Sequence, residues 1–198
     1  MKKRTLLIVI TLFTAFTYAQ TSNSDLIEKL DINTSKSELK WSCEYAFYFG
    51  GHDGTINFEN GYFLKQNGAI TGGAFTIDMN SIKNLDIKNA EANAGLVEHL
   101  KNEDFFDVKK FPKSKLVITK VTYHDATHMR MEANLKIKDI TLPVNFQAEV
   151  DYQKKEMTTR FKIDRTLWGV TYNSKEVEGK LKDGLISDAI GFEVKLSL

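Results

Sequence analysis

Apolar and polar residues alternate along most of the chain, a pattern that places one set of side chains on each face of an extended strand. Every second residue from Leu39 to Phe49 is apolar or aromatic, and similar runs recur through to Leu198. The main later runs start at Phe75, Val117, Met129, Val144, Met157 and Ile190. The spacing predicts an all-β protein with roughly eight or more antiparallel strands.

Turn residues and one helical segment divide these runs. Asn67-Gly68 and Asp183-Gly184 favour tight hairpin turns, since both positions of a type I′ turn need positive φ. Residues 90–104 carry alanine, leucine and valine among charged residues and predict one short amphipathic helix. One-sided apolar strands can form a sandwich or a barrel. Long strands with large inward residues favour the barrel, because closure removes exposed edges.

The N-terminus has the features of a secretory signal peptide. A basic start at Lys2, Lys3 and Arg4 precedes an apolar stretch over residues 6–16, and Ala19 provides a small residue for cleavage. We therefore expect a signal peptide at residues 1–19, one domain at 20–198, and a periplasmic or secreted protein. An uncleaved anchor is the alternative, but the apolar stretch is short for a membrane span and no later segment is long or apolar enough.

Charge and candidate chemistry narrow the function. The chain has 27 basic and 26 acidic residues, and removal of residues 1–19 leaves 24 and 26. Without a basic block there is no electrostatic reason to bind nucleic acid. No H-E-x-x-H, G-x-S-x-G or glycine-rich phosphate motif occurs, and His124 and His128 are interpreted as surface residues. We expect neither an enzyme nor a metal site.

Four segments together resemble the YceI-like family over roughly residues 30–198. The first comprises Trp41, residues 52–56 and residues 72–79, and the second joins residues 99–108 to Phe111-Pro112. The third is Leu135 to Val144, which resembles an "L-x-I-K-x-x-T-x-P-V" strand pair. The fourth is Phe161 to Val170, which resembles "I-x-R-x-x-(aromatic)-G-V".

This resemblance implies an extended, lipocalin-like antiparallel β-barrel in the bacterial periplasm. It implies a long hydrophobic pocket for an isoprenoid lipid, either a polyprenyl phosphate or the tail of a quinone, and no other cofactor. The sequence does not give the oligomeric state; because long barrels with exposed aromatic edges sometimes pair, a homodimer is considered as well. The chain departs from the family at residues 46–49, which are unusually aromatic, and at residues 80–94. These departures concern the identity of the ligand more than the fold.

The inward faces of the strands supply the residues that would line such a tunnel. Most of them would also serve as core packing in any β protein, and the two interpretations stay open. The expected tunnel lining is Trp41, Tyr45, Phe47, Phe49, Phe75, Ile77, Met79, Met131, Leu135, Phe146, Phe161, Ile163, Trp168 and Phe192.

Two polar residues are candidates for a lipid headgroup. Arg165 shares parity with Phe161 and Ile163, so its guanidinium is expected inside, paired with a ligand oxygen or with a carboxylate such as Asp188. His52 follows a glycine bend near the expected barrel mouth, and two interpretations stay open: a hydrogen bond with the headgroup, or a turn histidine that bonds only the backbone. The sequence therefore predicts an exported lipid-binding protein, and the alternative is a filled barrel that presents its loops to a partner protein.

Overall fold

The computed structural model describes residues 26–174 and 185–198. The signal peptide at 1–19 and the Asp183-Gly184 turn lie outside the described residues. The strands are β1 Ile27–Asp31, β2 Glu38–Tyr45, β3 Gly51–Gln66, β4 Ala69–Asn84, β5 Lys113–Tyr123, β6 His128–Ile137, β7 Ile140–Asp151, β8 Glu156–Asp164 and β9 Ile186–Ser197. The α-helix α1 spans Ala90–Lys101, and a short 3-10 helix, η1, spans Arg165–Trp168.

The strands form one closed antiparallel sheet. Their order is β1-β3-β2-β9-β8-β7-β6-β5-β4, and β3 also pairs with β4 to close the ring. Along one edge of β3, β1 pairs with Tyr62–Gln66 and β2 pairs with Gly51–Thr55, so these two strands share one position. The described chain is therefore an eight-position antiparallel barrel with one short α-helix, and the predicted fold class is confirmed.

The barrel has two distinct ends. Tight turns between β3 and β4, β5 and β6, and β7 and β8 lie at one end, here called the hairpin end. Asn67 and Gly68 there have φ of 51° and 84°, which confirms the predicted turn. The opposite end, which carries α1, η1 and the β2–β3 connection, is called the helix end.

Side chains close the hairpin end of the barrel interior. Phe63, Met129 and Val150 are at most 1% exposed. The ring of Phe63 packs edge-on against Phe75, with centroids 5.1 Å apart. These residues form the floor of the interior, because they fill the cross-section of the barrel with apolar atoms.

Two inward aromatic residues each lie over a glycine on the neighbouring strand. Trp41 is paired with Gly54, and Phe75 with Gly61. A Cβ atom at Gly54 would stand 2.6 Å from the Trp41 ring, and one at Gly61 would stand 2.4 Å from the Phe75 ring. Glycine at these positions allows both rings to lie close to the barrel wall.

One inward face differs from the alternation in the sequence. The pairing of β5 with β6 shifts between Ile118 and Lys120, and such a bulge reverses side-chain parity. Before the bulge Leu116 and Ile118 face inward, whereas Val117 is 45% exposed. The run that starts at Val117 was predicted to share one face, which is wrong at its beginning.

The helix α1 is shorter than predicted. The Asn89 side chain caps its first turn by accepting a hydrogen bond from the Ala92 amide (2.9 Å). The predicted helix over 90–104 ends at Lys101, since Asn102 adopts an extended conformation. Within residues 26–174 and 185–198, no helix combines the length and apolar character that a membrane crossing requires.

The floor of the barrel provides a stability prediction. Phe63→Ala removes a fully buried ring and should lower the free energy of unfolding by about 3–5 kcal/mol. Phe49→Ala removes an equal ring that is fully exposed and should change it by less than about 0.5 kcal/mol. Urea unfolding measures both, and equal losses in the two variants would contradict the assignment of Phe63 to the floor.

A candidate ligand cavity inside the barrel

The barrel encloses a cavity above the floor. Its volume is about 160 Å³. For comparison, a cavity of about 10–15 Å³ can hold one water molecule. Its wall combines inward side chains from most strands with Leu100, Phe105 and Phe106 from the segment around the end of α1. Among the described lining residues, Arg165 is the only charged one. Such a space suits an apolar ligand.

A row of three phenylalanines crosses one side of the cavity. Phe146 stacks on Phe161 with ring centroids 4.8 Å apart, and Phe161 lies 5.3 Å from Phe192. Phe161 and Phe192 are directly opposite in the pairing of β8 with β9. The row arises because each phenylalanine occupies an inward position on its own strand.

The structure places eleven of the fourteen predicted lining residues in the cavity wall. Ten of them follow from strand parity and Trp168 is carried to the wall by η1, but no contact with a ligand is tested by this placement. These residues are Trp41, Phe75, Ile77, Met79, Met131, Leu135, Phe146, Phe161, Ile163, Trp168 and Phe192.

The structure corrects the prediction for the other three. Strand β2 ends at Tyr45, and its pairing with β9 shifts between Cys43 and Tyr45, so parity no longer fixes the direction of the following side chains. Tyr45 is 37% exposed, Phe47 is 56% exposed and Phe49 is fully exposed. They lie at the rim of the helix end rather than in the wall.

Arg165 is buried at the helix end of the cavity. It is 1% exposed and donates hydrogen bonds to the backbone carbonyls of Ser187 (3.0 Å), Val170 (2.7 Å) and Ile186 (3.3 Å). Its Nη2 also lies 3.6 Å from Oδ1 of Asp188. Burial lowers the pKa of the guanidinium, and the charge of Asp188 opposes this effect. The internal carboxylate considered from the sequence is therefore present, and a contact with a ligand oxygen stays a prediction.

His52 belongs to a polar network at the rim. Its Nδ1 lies 2.9 Å from Asp86 Oδ2, and its Nε2 lies 3.1 Å from the hydroxyl of Tyr45. Partial burial alone would raise the pKa of Asp86, but hydrogen bonds with His52 and the Asp53 amide hold it below its usual value. His52 is absent from the described cavity wall. A role at the mouth, as predicted, would require the ligand to reach the rim.

The sequence did not identify Cys43 as a lining residue, although its parity with Trp41 indicated an inward side chain. The structure places Cys43 in the wall, where its thiol donates to the Ser187 carbonyl (3.6 Å). Burial raises the pKa of this thiol to about 11. Phe105 and Phe106 were also missed, because they reach the wall from a turn without strand periodicity.

An eight-position barrel around an apolar cavity defines a lipocalin-like binding protein. The model of the YceI-like domain matches residues 30–198, and the chain therefore belongs to the YceI-like family. Protein YceI of Salmonella newport is 26% identical over 151 residues, which are 76% of this chain and 66% of the relative. The chain thus spans just under two thirds of the length of that curated relative. Family and fold together support a binding protein.

Solved structures show the same fold. The crystal structure of Burkholderia cenocepacia BcnA superposes with a TM-score of 0.66 at 16% identity, covering 83% of this chain and 98% of that one. A mutant Campylobacter jejuni YCEI protein, crystallised with a monobromobimane guest, gives a TM-score of 0.50 at 20% identity and covers 96% of each chain. At these identities the likeness concerns the fold alone.

The raised pKa of Cys43 provides a chemical test of the cavity wall. At pH 8 a thiol of pKa about 11 is almost entirely protonated, and only the thiolate reacts. Iodoacetamide should therefore modify the folded protein about 100-fold more slowly than the protein in urea, where an ordinary thiol pKa near 8.5 applies. The folded rate should rise with pH toward 11. Equal rates in the two states, followed by mass spectrometry, would contradict a raised pKa at the half-buried Cys43.

Proposed function

We propose that this protein is an exported carrier that holds one isoprenoid lipid inside its barrel, without chemical conversion of the lipid. The observation that carries this proposal is the apolar cavity of about 160 Å³ with a single charged side chain in its described wall. A polyprenyl phosphate and a quinone tail both offer the long apolar chain that such a wall would accept.

The chemistry of the wall supports an isoprenoid chain. Each methylene group moved from water into an apolar site contributes about 0.8 kcal/mol, and a branched chain of several isoprene units has many. Met79, Met131 and Met157 lie in the wall. Their flexible, polarizable side chains can follow an irregular chain.

The alternative of a filled barrel that only displays loops has less support, because the interior contains a cavity above its floor. A catalytic role also has little support. General acid–base catalysis favours a pKa near the working pH, whereas the thiol of Cys43 has a pKa of about 11 and Arg165 is tied to backbone carbonyls.

Export is part of the proposal and rests on the sequence. The basic start, apolar stretch and small residue at position 19 favour secretion, with cleavage after Ala19. A periplasmic or secreted carrier would meet a lipid at the outer face of the cell membrane. Edman sequencing of exported protein that begins at Gln20 would support cleavage at this position.

The direct test is mass spectrometry of solvent extracts of the full-length protein, expressed with export in a bacterium. We expect one isoprenoid lipid per protein, whose mass gives the headgroup and chain length. Protein that is free of lipid and also fails to take up added polyprenyl phosphate or ubiquinone would overturn the proposal.

The row of phenylalanines allows a matched pair of variants. Phe161→Ala removes a ring from the cavity wall and should lower retention of the co-purified lipid about tenfold or more, given the apolar contact that is lost. Phe47→Ala removes a ring at the rim and should leave retention within about twofold, since surface changes usually have small effects. Extraction after dialysis against lipid-free vesicles measures retention. Equal losses would argue against the cavity as the site.

A further inference from the structure

The barrel wall is interrupted between two neighbouring strands. β7 and β8 pair only from Ala148–Thr159 to Asp151–Glu156, close to the hairpin end. Further toward the helix end, residues 141–147 of β7 and 160–164 of β8 have no ladder between them, although each pairs fully with its other neighbour. We call this part of the wall the seam.

The hydrogen bonds at the lower end of the seam show where the ladder stops. The ladder ends at the pair Ala148–Thr159. Next to this pair, toward the helix end, the carbonyl of Gln147 accepts a hydrogen bond from the hydroxyl of Thr159 at 2.6 Å. Pro143 lies within the seam and has no N–H. The backbone N–H and C=O groups of β7 point alternately toward β6 and toward β8, in a phase set by the two-residue turn after Ile137. At position 143 they point toward β8, so a proline there leaves no donor unpaired.

Side chains close the seam from inside. The stacked rings of Phe146 and Phe161, 18° from parallel, join the two strands where their backbones no longer pair. Toward the helix end Trp168 of η1, which is 2% exposed, donates to the carbonyl of Leu135 at 3.2 Å. Phe146, Phe161, Ile163 and Trp168 also line the cavity, so the seam is the wall of the cavity on this side.

The barrel has other interruptions. Residues 56–61 of β3 lie between its ladders with β2 and β1, and there the β1–β2 connection bonds both β3 and β9, through Ile32 N to Gly61 O (3.0 Å) and Asn33 N to Ser197 O (2.8 Å).

The two interruptions between β4 and β5 also differ from the seam. Beyond Asp78, β4 has no partner in β5. There α1 and the turn that follows it cover the wall. Backbone hydrogen bonds hold that turn, such as the one from Val108 N to Lys101 O at 2.8 Å. Near the hairpin end, the ladder between β4 and β5 stops at Gly73–Ile118, and Tyr123 bonds the Ile70 amide there. Neither Tyr123 nor Ile70 belongs to the cavity wall.

We propose that the seam is the lateral portal through which an apolar lipid chain enters and leaves the cavity, with Phe146 and Phe161 as its gate. This inference rests on the proposed function and extends it. Separation of the two rings requires changes of side-chain rotamers but breaks no ladder hydrogen bond. A chain lying across the seam would therefore reach the cavity with the ladders and the floor intact.

Cross-linking across the seam tests the portal. Asn145 and Lys162 are exposed and lie on opposite sides of the seam. The register of Ala148 with Thr159 continues through the stacked rings of Phe146 and Phe161, and it places Asn145 opposite Lys162. Asn145→Cys with Lys162→Cys, in a Cys43→Ala background, is joined by a cleavable bis-maleimide. The control joins Asn145→Cys to Glu132→Cys, which are directly opposite across the continuous ladder of β6 and β7.

The readout is stopped-flow quenching of tryptophan fluorescence by a ubiquinone with a two-isoprene tail, since Trp41 and Trp168 line the cavity. We expect the seam cross-link, which bridges the outer opening and holds the two strands together, to slow uptake at least about tenfold, with final quenching unchanged. Cleavage of the linker should restore the rate, and the control cross-link should not alter it.

Three other outcomes would overturn the portal. If the seam cross-link leaves uptake unchanged while final quenching persists, the lipid enters elsewhere, such as beneath α1, and the proposed function stands. If both cross-links slow uptake equally, a general stiffening of the barrel explains the effect. If the protein without cross-links takes up neither the quinone nor added polyprenyl phosphate, the proposed function fails together with the portal.

Discussion

Closure of the sheet is the constraint on which the rest of the structure depends. β2 pairs with β3 on one side and with β9 on the other, and β3 pairs in turn with β4. Once the ring is closed, every inward residue is confined to a fixed cross-section and must either pack against the opposite wall or border a void. The hairpin end meets this requirement by packing around Phe63, while the middle of the barrel meets it with a cavity.

The helix end shows how the same constraint affects polar groups. Arg165 follows the last residue of β8 and turns into the barrel from η1, where its charge would be costly without partners. Three carbonyls and Asp188 supply them, and two of these carbonyls, at Ile186 and Ser187, belong to β9. The arginine therefore fastens η1 to the neighbouring strand, and η1 in turn carries Trp168 to the cavity wall.

Much of this structure could be predicted from the alternation of residues, and its failures have local physical causes. Alternation places Phe161 and Phe192 inward correctly because β8 and β9 pair with each other without a register shift. It fails at Val117, where a later bulge changes parity, and at Phe47, where aromatic residues continue the period after the strand has ended. Phe105 was missed because a turn, rather than any period, carries it to the cavity.

The proline at the seam has a consequence for the behaviour of many copies of this protein together. An unpaired strand edge is a template on which another chain can add a strand, and such growth leads to aggregates. At Pro143 the edge of β7 lacks the donor that an added strand would need, and on β8 the exposed charge of Lys162 repels a close neighbour. The wall can thus be interrupted beside its cavity without offering a second chain an edge that it could fully pair with.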